Sequence, residues 1–217
     1  MKTILCYGDS NTYGFDGRKM PETGECFRYD ENTRWPCLLQ KILGEGYCVI
    51  AEGLNGRTTV FEDPVEYGRI GLSTLEPIFR SHQPIDLTVI MLGTNDLKDV
   101  FSASADIIAS GMERIVVRTK QLISESFNPQ GKVLVIAPAN VARSADGQFR
   151  YDFSEASVAK GAALAGRYKA LAERLGCEFA DAGSWVTVDL SDGTHLSPES
   201  HRVFAEKMAE KVKAVLG

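Results

Sequence analysis

Apolar residues along this chain gather into five short runs, with longer amphipathic stretches between them. The runs are residues 3–7 (TILCY), 47–51 (YCVIA), 86–92 (DLTVIML), 132–137 (KVLVIA) and 177–181 (CEFAD). They are continuous rather than alternating, which predicts strands covered on both faces, as in a parallel sheet. Helical spacing occupies the intervals. Residues 35–43 make a short helix. Residues 104–126 place Ile108, Met112, Ile115, Val116 and Ile123 on one face and stop before Asn128 and Pro129. Residues 154–175 start with Ser154 as cap, carry Val158, Ala162, Ala165, Tyr168, Ala172 and Leu175, and end at Gly176. A last helix opens with Ser197 as N-cap and Pro198 at the first helical position, then shows Phe204, Met208, Val212 and Val215. Alternating strands and helices predict a doubly wound α/β sandwich.

Two stretches do not fit a short connection. Residues 12–34 and 52–84 are rich in Gly, Pro, Thr and charge, and loops of that length in an α/β domain tend to carry function. At 217 residues, with neither repeat nor linker, the chain is expected to form one domain over 1–217.

Composition narrows the class. The hydrophobic fraction is 44% and the charged fraction 24%, as in a globular protein. The formal net charge is -5 with Lys and Arg scattered, which argues against nucleic-acid partners and against an anionic membrane surface. No leader pattern and no run of 18 apolar residues is found, so a cytoplasmic location is expected. Cys6, Cys26, Cys37, Cys48 and Cys177 are odd in number, widely spaced and without a C-x-x-C pair, which fits reduced thiols. Cys6 and Cys48 fall in strands and read as small buried hydrophobes.

In an open α/β sheet, ligands bind beyond the carboxyl ends of the strands. Gly8-Asp9-Ser10 follows the first run, "EGLNGRTT" (52–59) the second, Gly93-Thr94-Asn95-Asp96 the third and "PANVARSADG" (138–147) the fourth. Asp192-Gly193-Thr194-His195 precedes the last helix. His82 sits in a connection, and His201 falls in the last helix as a surface or packing residue. His195 has an aspartate three residues before it. With a serine leaving the first strand, this is a candidate Ser-His-Asp set: Asp192 fixes the imidazole tautomer and the other ring nitrogen faces Ser10. The backbone amides of Ser10 and Gly56 and the side chain of Asn95 could hold an oxyanion, although Gly93-Thr94-Asn95-Asp96 taken alone reads as an ordinary strand-ending turn.

These blocks, in this order and spacing, resemble the SGNH hydrolases, also called the GDSL esterase/lipase superfamily. The match runs from residue 4 to about residue 205 and takes in "HLSPESHR". The resemblance implies a flavodoxin-like three-layer sandwich with five parallel strands in the order 2-1-3-4-5. It also implies serine esterase chemistry: Ser10 as nucleophile, His195 as base, Asp192 as its partner, and Ser10, Gly56 and Asn95 as the oxyanion hole. "ILCYGDSNTYG", "EGLNGRTT", "VIMLGTNDLK" and "FADAGS" look like the small bacterial arylesterase/acyltransferase group. That group hydrolyses short-chain and aryl esters, in some members transfers acyl groups, and in several is homo-oligomeric. Two departures are expected to touch loop packing. The first block reads Gly-Asp-Ser-Asn rather than Gly-Asp-Ser-Leu, and Ala51-Glu52-Gly53 stands where many members have Asn-x-Gly.

Asp9 and Asp96 are expected to support turns. Trp35, Lys98, Phe101, Phe149, Tyr151 and Phe153 are expected to line a pocket, with core packing as the equal alternative. A small ester is the implied substrate, and no cofactor is expected. A cation held by Asp9, Asp96, Asp192 and His195 is disfavoured, because histidines are few and metal-ligand spacing is missing. An α/β-hydrolase is disfavoured because Gly-x-Ser-x-Gly does not occur in mid-chain. Two alternatives stay open: a carbohydrate O-acetyl esterase with the same triad, and a flavin- or phosphate-binding module using "SNTYG" as its loop.

Overall fold

All five apolar runs become strands of one parallel sheet in the computed structural model, which describes residues 1–19 and 27–217. The strands are β1 (Lys2–Gly8), β2 (Tyr47–Gly53), β3 (Leu87–Met91), β4 (Lys132–Ala137) and β5 (Glu178–Asp181). Their order is β2-β1-β3-β4-β5, the order that the resemblance implies. Gly8 at the end of β1 pairs with Gly53 on one side and Met91 on the other, so three strands end at one level.

Among the described residues six helices flank the sheet: α1 (Ser10–Tyr13), α2 (Trp35–Leu43), α3 (Gly71–Ser81), α4 (Ala105–Ser124), α5 (Glu155–Leu175) and α6 (Pro198–Leu216). Alternate residues of β1 serve opposite layers. Leu5 and Tyr7 join a core with Leu75 and Phe79 of α3, Ile108 and Met112 of α4, and Leu164 and Tyr168 of α5. Ile4 and Cys6 join Trp35 and Leu39 of α2 with Phe204 and Met208 of α6. Burying each large side chain of this kind stabilises the fold by about 1.5–3 kcal/mol. No helix among the described residues is long and apolar enough to cross a membrane.

Helix ends follow their local signals. Ser104 caps α4 by accepting from the Ile107 amide, Ser154 caps α5, and Ser197 caps α6 by accepting from the Ser200 amide. α3 departs from the sequence expectation, which read 52–84 as one long connection. Leu72, Leu75, Ile78 and Phe79 carry the helical spacing, but Pro77 interrupts the pattern. Tertiary packing of Leu75 and Phe79 offsets the hydrogen bond that Pro77 cannot make.

Cys6 is buried as expected, whereas Cys48 is only half-buried, because β2 is an edge strand. Cys26 lies outside the described residues. His201 is fully buried: its Nδ1 accepts from the Trp35 amide at 3.3 Å and its ring meets Tyr29 edge-on at 5.3 Å. Burial lowers its pKa to about 3, so the ring is neutral and can accept.

Candidate active site

The turn after β1 is organised by Asp9. Its Oδ1 accepts from the Asn11 amide at 2.9 Å and caps α1, which makes Ser10 the first helical residue. The amide of a first helical residue has no partner inside its helix. The segment before α6 is organised by Asp192. Its Oδ1 accepts from the amides of Thr194 at 2.9 Å and His195 at 3.0 Å. An antiparallel bridge between Val188 and Leu196 holds the two sides of this loop together.

These two turns meet at the floor of a cleft. His195 Nε2 lies 2.9 Å from Ser10 Oγ, and His195 Nδ1 lies 2.5 Å from Asp192 Oδ2. Ser10, Asp192 and His195 are all buried. A carboxylate can only accept, so Nδ1 carries the imidazole proton and Nε2 accepts from the Ser10 hydroxyl. Burial pushes the Asp192 carboxyl up. Its hydrogen bond to His195, the imidazole charge and the two amides outweigh that, and the net pKa is lowered. The His195 ring packs against Phe15 at 4.5 Å and meets Tyr151 edge-on at 5.4 Å. Tyr151 also donates its hydroxyl to Asp192 Oδ2 at 3.1 Å.

The turns after β2 and β3 close the far wall. Asn95 Nδ2 donates to the Arg57 carbonyl at 3.1 Å, which leaves its second amide hydrogen for the cleft. Gly56 adopts φ +74°, a left-handed conformation that glycine enters without a Cβ clash. Arg57 is buried and binds the Gly8 carbonyl at 2.7 Å and the Glu52 carbonyl at 2.5 Å, with its guanidinium over the Tyr7 ring. It ties the ends of β1 and β2 to the loop bearing Gly56. Asp96 accepts from the Thr59 amide at 3.0 Å and from its hydroxyl. Burial raises its pKa to about 6, and burial likewise raises that of Asp9. The cleft holds about 500 Å³, with Ser10, Gly56, Asn95 and His195 all on its surface.

The model of the GDSL-like lipase/acylhydrolase family matches residues 6–203. The chain belongs to this family. As a GDSL-like hydrolase it is a carboxylic-ester hydrolase. Solved structures agree over the whole length. A carbohydrate acetylesterase from Sinorhizobium meliloti superposes with TM-score 0.92 at 37% identity, covering 99% of this chain and 100% of its own. An aryl esterase from M. smegmatis gives TM-score 0.92 at 35% identity with both chains fully covered. A carbohydrate acetylesterase family member, again from Sinorhizobium meliloti, gives 0.88 at 36% with the same coverage. No curated protein matches the chain significantly.

Of the aromatic and basic residues expected to line the hydrolase pocket, Lys98, Tyr151 and Phe153 do so. Trp35, Phe101 and Phe149 do not, which corrects the sequence expectation. Trp35 is fully buried under α6, with its ring 4.9 Å from Phe204. Phe101 stacks on Phe61 at 5.4 Å, and Phe149 lies under the Arg143 guanidinium at 4.5 Å. Loop position alone did not distinguish rings that face the cleft from rings that face the core. The cleft also uses Tyr13, Phe15, Asn55, Glu66 and Arg69, which sequence reasoning missed. Tyr13 and Asn55 lie inside the quoted blocks "ILCYGDSNTYG" and "EGLNGRTT", whereas the signal for Phe15, Glu66 and Arg69 was only membership of the two long segments, 12–34 and 52–84.

Proposed function

We propose that this hydrolase cleaves short-chain and aryl esters through an acyl-enzyme on Ser10. The observation that carries the reading is the continuous chain from Ser10 Oγ to His195 Nε2 at 2.9 Å and from His195 Nδ1 to Asp192 Oδ2 at 2.5 Å, at the base of an open cleft. Ser10 Oγ attacks the ester carbonyl carbon while Nε2 takes its proton. Asp192 stabilises the imidazolium and holds the ring. The negative charge that develops on the carbonyl oxygen meets donors in place beforehand: the amides of Ser10 and Gly56 and the free hydrogen of Asn95 Nδ2. Each such donor is worth about 3 kcal/mol of transition-state stabilisation. Collapse expels the alcohol, which takes its proton from Nε2. Water, activated by the same imidazole, then releases the acid. An alcohol in place of water gives acyl transfer.

The cleft supports an aryl or short acyl group by its rings, Tyr13, Phe15, Tyr151 and Phe153. A second reading, acetyl esters of carbohydrates, is favoured by Glu66, Arg69 and Lys98 on the same surface, since charged side chains can bind sugar hydroxyls. The deciding test is p-nitrophenyl acetate hydrolysis by the parent and Ser10→Ala at equal folded concentration. A fall of several orders of magnitude supports the reading, and equal rates overturn it. Comparing kcat/KM for acetylated sugars and aryl acetates then decides between the two substrate classes.

A further inference from the structure

Tyr151 and Asp152 are consecutive non-glycine residues with φ +54° and +64°. Left-handed backbone at two successive residues with side chains is unfavourable and persists where surrounding bonds enforce it. Those bonds are present. The Asp152 carbonyl accepts from the Asp99 amide at 3.0 Å, and Asp152 Oδ2 accepts from the Val100 amide at 2.8 Å. The Phe153 amide donates to the Arg150 carbonyl at 3.1 Å. The segment is thereby clamped to the 3-10 turn Asp99–Phe101, which directly follows the one that carries Asn95.

This strained backbone delivers Tyr151 to one place. Its ring stands edge-on to His195, and its hydroxyl donates to Asp192 Oδ2, the oxygen that also accepts the hydrogen bond from His195 Nδ1. Among the described residues, Tyr151 is the side chain besides His195 that is bonded to the Asp192 carboxylate. A hydrogen bond donated to a carboxylate disperses its negative charge and weakens its attraction for a neighbouring cation.

We propose that Tyr151 is a positioning residue of the relay: its hydroxyl limits the charge that Asp192 presents to His195, and so keeps the imidazole available as a base at lower pH. The proposal rests on the Ser10–His195–Asp192 reading. Burial, and then the Asp192 charge, raise the Tyr151 pKa, so the phenol remains a donor throughout the working range. Other ionisable groups around the pair are Asp9 from the turn after β1, His201 from α6 and Arg150 beside Tyr151. Glu66, Arg69 and Lys98 share the cleft. All of these stay in place in a variant that removes one hydroxyl.

The test is the pH profile of kcat/KM for Tyr151→Phe, which keeps the ring against His195. The acid limb is expected to move up by on the order of half a pH unit, so that the loss relative to the parent grows as pH falls. Imidazole NMR of His195 should follow the same displacement in the resting protein. Tyr151→Leu, which also lacks the hydroxyl, should move the limb in the same direction even if KM changes. In an Asp192→Asn background, Tyr151→Phe should displace nothing, because no carboxylate remains to modulate. A parallel loss at every pH, or a change confined to KM, would make Tyr151 a pocket wall and overturn the proposal. If Ser10→Ala is inactive and the limb stays fixed, the Tyr151 proposal alone falls. If Ser10→Ala is fully active, the relay reading falls and this proposal with it.

Discussion

Asn11 is bonded to the backbone on both sides of His195. Its Oδ1 accepts from the Leu196 amide at 2.9 Å and its Nδ2 donates to the Thr194 carbonyl at 3.3 Å. One carboxamide therefore joins the turn that holds Ser10 to the segment that holds His195, across 185 positions of sequence. Asn11→Leu, which restores the Gly-Asp-Ser-Leu form, removes both bonds and buries an unpaired amide and carbonyl. Unfolding in urea should show a loss of about 1–3 kcal/mol. Steady-state kinetics should show kcat falling by on the order of tenfold or more with KM little changed, because on the proposed mechanism the alignment of His195 with Ser10 is lost rather than substrate contact. A kcat equal to the parent's would mean that other contacts align the two segments.

The members of the relay should differ in severity. On the proposed mechanism Ser10→Ala and His195→Ala remove the attacking atom and the proton acceptor, and each should lower kcat by about 10⁴-fold or more. Asp192→Ala leaves an imidazole that can still take a proton, and its loss should be smaller, roughly 10²–10⁴-fold. Rates on p-nitrophenyl acetate order the three. Mass spectrometry of quenched enzyme should find the acyl group on the peptide containing Ser10 in the parent and not in Ser10→Ala.

Gly53 ends β2 where α1 passes closest. A Cβ there would stand 2.0 Å from the Tyr13 amide nitrogen and 2.5 Å from the Thr12 carbonyl carbon. Both are backbone atoms, so no side-chain movement relieves the overlap. Gly53→Ala should destabilise the protein by about 3 kcal/mol or more, read as a lowered urea midpoint. Activity should fall as well, because α1 begins with Ser10. Gly46→Ala is the control, since a Cβ there meets nothing within 4 Å.

His201 gives stability a pH dependence of known sign. Burial lowers its pKa from 6.5 to about 3. Below pH 6.5 the unfolded chain binds a proton at this residue that the folded protein refuses, down to about pH 3. Its contribution is therefore complete above pH 6.5 and declines as pH falls, by at most about 1.4 kcal/mol per unit. His201→Gln keeps an acceptor for the Trp35 amide and does not titrate. The stability difference between parent and variant, measured by urea unfolding at pH 7 and pH 5, should shift against the parent at pH 5. A difference independent of pH would show that His201 titrates alike in both states.

The strands and the capped helices were legible in the sequence because their causes are local. The run KVLVIA became β4 without adjustment, and Ser104, Ser154 and Ser197 marked three helix starts through side chains that bond within one turn. The ordered blocks around Ser10, Gly56, Asn95 and His195 were legible for a similar reason, since each lies just beyond a strand end or before a helix cap. α3 was obscured because Pro77 speaks against a helix locally, and only contacts made by Leu75 and Phe79 with the sheet override it.

By itself, then, the sequence determined a five-stranded α/β sheet and the short list of groups along its carboxyl edge, because periodicity and capping depend on neighbours a few residues away. Only the tertiary structure decided which side chains meet. It sent Trp35 into the core and Tyr151 to the cleft, made Asn11 of α1 the link between the turn of Ser10 and the segment of His195, and gave Asp192 a second side-chain donor. Those outcomes depend on how two helical layers and two long segments pack around the sheet, where residues distant in the chain compete for the same space and the same hydrogen bonds.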